Sequence, residues 1–285
     1  MRPPEETGAA LASAAPDPHV AAVPAAAPKR VRAFELDFLR GFAVVMMMLH
    51  HLAYDLRYEM GLPVFAFQEK LWFIDWVRAP FVMIFLGVSG ICGTFTRSNA
   101  KRGARLLGVA LLFSAAMAAF SLATGQQAYI VFNVLHLLAA GTLLYALLEV
   151  VERSVAKREG PTAGGDAFLL VLGSFLLWAG EPLLRAEVAP SLWLVPIGRP
   201  EGFPYGMSDY MPLIPWLGFF LIGAVIGRLA YRTRASAFPR LQANPGVQAG
   251  TAPLRFVGRH ALAFYIFHQP VLLGLLFALR ALRWI

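Results

Sequence analysis

The chain has 285 residues, of which 58% are hydrophobic and only 15% charged. Soluble domains carry about 25% charged residues, so this much apolar surface belongs in a bilayer rather than in one soluble core. The net charge is +8, but the basic residues fall between apolar runs instead of in one patch, which argues against nucleic acid as a partner. The single cysteine, Cys92, lies inside an apolar run and allows neither an intramolecular disulfide nor a cysteine-ligated zinc cluster; no metal site is expected.

Residues 1–30 are rich in Ala and Pro and include Glu5, Glu6 and Asp17. They lack the charged region leading into an apolar stretch that marks a signal peptide, and read as a disordered cytoplasmic tail. Residues 31–285 read as one transmembrane domain. Runs able to cross about 30 Å of hydrocarbon lie near 34–56, 79–96, 104–123, 129–151, 167–184, 211–231 and 257–279. The fold class is therefore all-α, a polytopic bundle of about seven transmembrane helices. The fifth run ends at Glu181-Pro182, and the stretch 188–197, broken by Pro190 and Pro196, is expected at the interface rather than across it. Segments 157–166 and 233–253 are Gly-, Pro- and Ala-rich and read as connectors.

Loop charge sets the orientation. With the N-terminus inside, the inner segments hold 16 basic residues and the outer segments 7, the bias that cytoplasmic loops show. The expectation is a multi-pass protein of the cell (inner) membrane with a cytoplasmic N-terminus. Trp72, Trp76, Trp178, Trp193, Trp216 and Trp284 then all fall at or near the outer interface, where indole rings are favoured.

Ionisable groups inside membrane helices are costly, and each is a functional candidate. The first run reads FELDFLRGFAVVMMMLHHLAYDL. At about 100° per residue, with Asp37 at zero, Arg40 falls at about −60°, His51 at about −40° and Asp55 at about 0°, all on one face. His50 points away, at about 220°. Arg40 and His51 stand about 16 Å apart along that stripe. The plainer reading of its inner end is a structural Asp37–Arg40 pair. Two further histidines lie within apolar runs: His136, one turn after Asn133, and His268, followed by Gln269 and Pro270. Pro270 leaves the carbonyl of Ile266 without its helical partner. At about 1.5 Å per residue, His51, His136 and His268 lie about 25, 20 and 18 Å from the inner boundary, in one band of the outer half. Asp55, Asp75 and Asp209 cluster at the outer helix ends, and Tyr210, Tyr265 and Asn133 add polar groups there.

Leu39-Arg40-Gly41 followed by His51 resembles the pattern of membrane-bound acyltransferases that move acyl groups onto envelope glycans. Glu35-Leu36-Asp37, Asp55-Leu56, Asp75 with Pro80-Phe81 and Phe85-Leu86-Gly87-Val88-Ser89-Gly90, and Phe132-Asn133-Val134-Leu135-His136 look closer to one branch of them. So do Asp209-Tyr210-x-Pro212-Leu213-x-Pro215-Trp216, Gly258-Arg259-His260 and Tyr265-x-x-His268-Gln269-Pro270. That branch is the heparan-alpha-glucosaminide N-acetyltransferase catalytic domain family. The resemblance covers roughly residues 32–280, and Asn133 stands where the family's segment usually has glycine.

The resemblance implies transfer of an acetyl or other acyl group from acyl-CoA, a co-substrate rather than a bound cofactor. The acceptor it implies is an amino or hydroxyl group of an envelope glycan, amino sugar or related molecule. It makes His51 the key catalytic group, as base or acyl carrier, with Asp55, His136 and His268 beside it. Asp37, Arg40, Asp75, Asn133, Asp209 and Tyr265 are the expected substrate contacts. In this reading Arg40 and the inner basic loops meet the CoA phosphates, while the plainer reading of Arg97, Lys101, Arg102 and Arg105 is topology alone. Asp55 or another outer carboxylate orients the His51 ring, and Asn133, Tyr265 or His136 steadies the oxyanion. Lipid is the surrounding partner, and a homodimer is compatible with it. The rival readings are a transporter or flippase that uses the polar face of the first helix as a pathway, and a haem protein with histidines as axial ligands.

Overall fold

The protein is described from a computed structural model covering residues 33–187 and 189–284; the expected tail, 1–30, lies outside the described residues. Helix α1, Phe34–Tyr54, opens with Glu35 and Asp37 at its positive end and continues through a π-helical turn, Asp55–Glu59. An outer loop with a 3-10 turn at Ala66–Glu69 leads to α2, Leu71–Phe73, a second π-helical turn, Ile74–Arg78, and α3, Ala79–Gly93. Helix α4, Asn99–Thr124, starts under the Ser98 hydroxyl, which accepts from the Lys101 amide, and stops at Gly125 with φ 72°. Helices α5, Val134–Ala156, and α6, Ala163–Arg185, are capped by the side chains of Asn133 and Thr162. The chain ends with α7, Leu217–Ala230, a short α8, Pro239–Ala243, then α9, Pro245–Arg259, and α10, Ala261–Ala281.

Six runs are long and apolar enough to span: Phe34–Glu59, Leu71–Gly93, Asn99–Thr124, Val134–Ala156, Ala163–Leu183 and Ala261–Ala281. Helix α7 is a seventh apolar helix of 14 residues, about 21 Å long, extended outward by the turn at Leu213–Trp216. The all-α polytopic bundle is thus present, with several boundaries moved. The second crossing begins at Leu71, because the π-helical turn keeps the chain helical outside the apolar run. The fifth passes through Pro182 to Arg185; the proline sits in the last turn, where it removes one bond, to Trp178. The stretch 188–197 forms only a 3-10 turn, Leu192–Leu194, with Trp193 exposed.

The connector expected at 233–253 is instead largely helical. Asn244 accepts from the amides of Gly246 and Val247, and Pro245 fills the first helical position, so α9 starts on a strong cap despite its Gly and Ala content. The final run breaks at His260 rather than continuing from residue 257.

Two glycine crossings set the packing. A Cβ on Gly41 of α1 would lie 1.8 Å from the carbonyl oxygen of Leu254 in α9, and one on Gly258 would lie 1.8 Å from that of Asp37. Helix α3 crosses α7 in the same way, with Gly90 against Phe220 and Gly223 against Gly87. Small residues let membrane helices approach at backbone distance. The glycine of the Leu-Arg-Gly motif is therefore a packing residue. The fully buried core of Leu86, Leu137, Tyr145, Phe220, Leu221 and Ala224 lies among α3, α5 and α7.

Candidate active site

Helices α1 and α10 meet through His51, near the C-terminal end of α1, and His268, in the first half of α10. Nδ1 of His51 lies 2.6 Å from Nε2 of His268. The ring planes differ by 14° and the centroids are 4.9 Å apart. The N···N contact plus one ring radius on each side accounts for that separation, so the rings meet edge to edge, with the N–H aimed along a lone pair. Nδ1 of His268 lies 2.7 Å from the carbonyl oxygen of Tyr265. A carbonyl only accepts, so in neutral rings Nδ1 of His268 carries the proton and Nε2 accepts from His51. This tautomer assignment follows from the hydrogen-bond network. Nε2 of His51 is left with a lone pair. The 2.6 Å contact leaves no room for an iron atom between the rings.

Asp55, one turn further along α1, is 1% exposed. It does not orient His51: its two oxygens accept from Nε2 of Gln269 at 2.8 and 3.0 Å. The imidazole is oriented by the neighbouring histidine instead. Gln269 Oε1 turns away from Asp55, shielded from solvent and without a hydrogen-bond partner among the described residues. His50, on the other side of α1, rests against Phe73 with centroids 5.7 Å apart, and its Nδ1 is likewise buried and unpartnered among the described residues.

His136 does not join the histidine pair. Its Nδ1 lies 3.0 Å from Oδ1 of Asn133, its Nε2 3.5 Å from Ser114 Oγ, and its ring packs on Phe132. Asn133 Nδ2 donates to the Tyr265 hydroxyl at 3.0 Å, so that hydroxyl donates its one hydrogen onward to Asp209. Tyr265 is therefore not an available oxyanion donor, and Asn133 and His136 are engaged in the same chain. The chain ties α10 to α5 and to the outer segment around Asp209. That segment is held by the Met207–Tyr129 bridge and by the Met211 amide, which donates to Phe132. Asp209 is exposed at the protein surface, yet the protein atoms packed around its carboxyl desolvate it and push it up to about 6. Asp75 is exposed on the second π-helical turn, apart from the pair. Both π-helical turns flank the loop that joins α1 to α3, and such turns recur at functional sites.

The inner end differs from the expected Asp37–Arg40 pair. Asp37 is buried and lies 3.7 Å from Arg259 of α9. Arg40 is partly buried, and its charge acts on Arg102 of α4.

A second polar centre went unread in the sequence. Arg228 of α7, its side chain 2% exposed, pairs with Glu152 of α5 at 2.8 Å and Asp166 of α6 at 3.1 Å, and donates to the Tyr145 hydroxyl at 2.9 Å. It reads in the sequence only as an inner loop cation. The signal was Glu152 and Asp166 bordering apolar runs beside an arginine at the same membrane level. Glu35, noted only within a motif, accepts from Ser236 and from the Ala237 amide, fastening the 233–238 segment to the start of α1.

A polytopic helix bundle with a histidine-centred polar seam between two of its spanning helices defines a membrane protein built around an internal reaction or transport site. Residues 32–270 match the family described as heparan-alpha-glucosaminide N-acetyltransferase, catalytic, and the chain belongs to that family of membrane acetyltransferases. Comparisons with curated proteins and with solved structures gave no match.

Proposed function

We propose that this protein sits in the cell (inner) membrane and transfers an acetyl group from acetyl-CoA, offered at the inner side, to an amino or hydroxyl group of a glycan or related acceptor at the outer side. His51 acts as general base. The observation that carries the reading is the Tyr265 carbonyl–His268–His51 chain, which leaves Nε2 of His51 unprotonated. Arg40 and Arg102, whose charges act on each other, support the donor assignment, because neighbouring cations suit the CoA phosphates. About 16 Å of α1 separates Arg40 from His51, a span that an extended pantetheine arm bridges.

In the reaction the acceptor nitrogen or oxygen attacks the thioester carbonyl carbon while Nε2 of His51 takes its proton. The positive charge that develops on His51 is stabilised through its Nδ1–H bond to His268. The tetrahedral intermediate collapses with cleavage of the C–S bond, and the CoA thiolate recovers the proton from His51. The products are the acetylated acceptor and free CoA.

Reconstituted protein supplied with labelled acetyl-CoA tests this. His51→Ala is expected to lower transfer roughly 100- to 10,000-fold, the usual worth of a general base. His268→Ala is expected to lower kcat more than either KM, whereas His50→Ala retains transfer. Transfer that survives His51→Ala but fails in His50→Ala overturns the assignment.

A further inference from the structure

The α1–α10 seam holds two side-chain pairs in successive positions. His51 meets His268, and one turn beyond His51 on α1, Asp55 meets Gln269, the residue after His268. The second pair has no part in the acetyl-transfer chemistry derived above. A carboxylate that receives both contacts of Gln269 Nε2 fixes which way the amide lies, because the flipped orientation would set a carbonyl oxygen against two carboxylate oxygens. Oε1 is thereby held facing away from Asp55, buried and unpartnered among the described residues, on the same α1–α10 seam as the histidine pair. A buried acceptor left without a donor is costly, and such a group in a native structure requires an explanation.

Resting on the acetyl-transfer reading, we infer that Gln269 is the residue that discriminates amine from hydroxyl acceptors, with Asp55 as the positioning residue that locks its amide. A primary amine carries two N–H bonds and one lone pair. The lone pair attacks the thioester carbon, one N–H faces Nε2 of His51, and the second donates to Oε1 of Gln269. His51 removes the first proton, and the amide product keeps the second, so the bond to Gln269 persists through the reaction. An alcohol carries one O–H. Once that hydrogen faces His51 and one lone pair attacks, the remaining lone pair faces Oε1, and acceptor opposes acceptor. A site built to receive a hydrogen rejects an analogue that lacks it, because its own buried group is left unpaired.

The experiment compares glucosamine with glucose as acceptors at a mildly alkaline pH, with labelled acetyl-CoA and the full-length reconstituted protein. The wild type is expected to favour glucosamine in kcat/KM by roughly 10- to 100-fold or more, the worth of one unpaired buried acceptor. Gln269→Leu is expected to lower that ratio at least about tenfold. Asp55→Asn, which retains the side-chain shape but releases the amide to rotate, is expected to lower it in the same direction. A purely structural role predicts that both substitutions scale the two acceptors by one common factor; that result, or a wild type without amine preference, overturns the inference. If the wild type acetylates neither sugar, the transfer reading fails, and the assignment is decided by calorimetric binding of the two sugars. Tighter glucosamine binding that Gln269→Leu abolishes supports it, and equal binding of the two overturns it.

Discussion

Asp209 adopts φ 52°, a left-handed backbone conformation that Asp tolerates better than bulkier residues, with its carboxylate under the Tyr265 hydroxyl. Its carboxyl is raised from 3.8 to about 6 by burial. A raised acid favours the folded state when protonated. Its contribution is fully present below the unfolded value and is lost as pH rises through about 6. An asparagine side chain at this position never ionises, yet its amide oxygen still accepts from Tyr265. Asp209→Asn is therefore expected to melt above the wild type near pH ~7.5 in detergent, the gap closing as pH falls from about 6 towards about 4. A gap that does not change with pH contradicts the assignment. At this scale the sequence shows which groups are out of place in lipid. His51 and His268 were legible as histidines of similar depth. Their contact was not, because a helical wheel gives the face of one helix and not what stands opposite. The same limit attached Asp55 to His51 rather than to Gln269, and made Tyr265 a free donor when Asp209 already receives its proton.

Helices α1 and α9 touch backbone to backbone at Gly41 and Gly258, so either residue resists any side chain. Gly41→Val and Gly258→Val are each expected to destabilise the protein by about 1–3 kcal/mol or more through forced separation of the helices, measured by thermal unfolding in detergent. Gly108→Ala and Gly274→Ala, where an added Cβ meets nothing within 4 Å, are the contrast and are expected to be neutral or mildly stabilising. Equal losses at all four positions would show that close approach at Gly41 and Gly258 does not govern the crossing. The long apolar helices were legible because hydropathy alone defines them. Helix α9 was hidden for the opposite reason: its Gly, Pro and Ala content resembles a linker, and only the Asn244-Pro245 start announced a helix. The π-helical turns extend two helices past their apolar runs, which no hydropathy reading detects.

Across the whole molecule, polar groups gather at two levels. The outer level holds the histidine pair, Asp55 and the Asp209–Tyr265–Asn133 chain. The inner level holds Arg40, Arg102 and the Arg228 cluster, which ties the ends of α5, α6 and α7. The loop-charge bias predicts that the inner level faces the cytoplasm, and a direct check uses the chain's lone cysteine. With Cys92→Ser as background, Glu201→Cys is expected to react with a membrane-impermeant maleimide applied to intact spheroplasts, whereas Glu159→Cys reacts only after lysis. The reverse pattern would invert the topology. Buried ion pairs such as Arg228–Glu152 were out of reach of the sequence because they depend on which helices neighbour each other. The histidine contact joins residues 217 positions apart, on α1 and α10, and five other apolar helices are synthesised between them. A chain whose α10 has not yet been made and docked has no second imidazole to hold His51 in its basic tautomer. On the proposed reading, competence for transfer therefore comes only when the bundle closes, and a stalled or truncated chain remains chemically silent in the membrane.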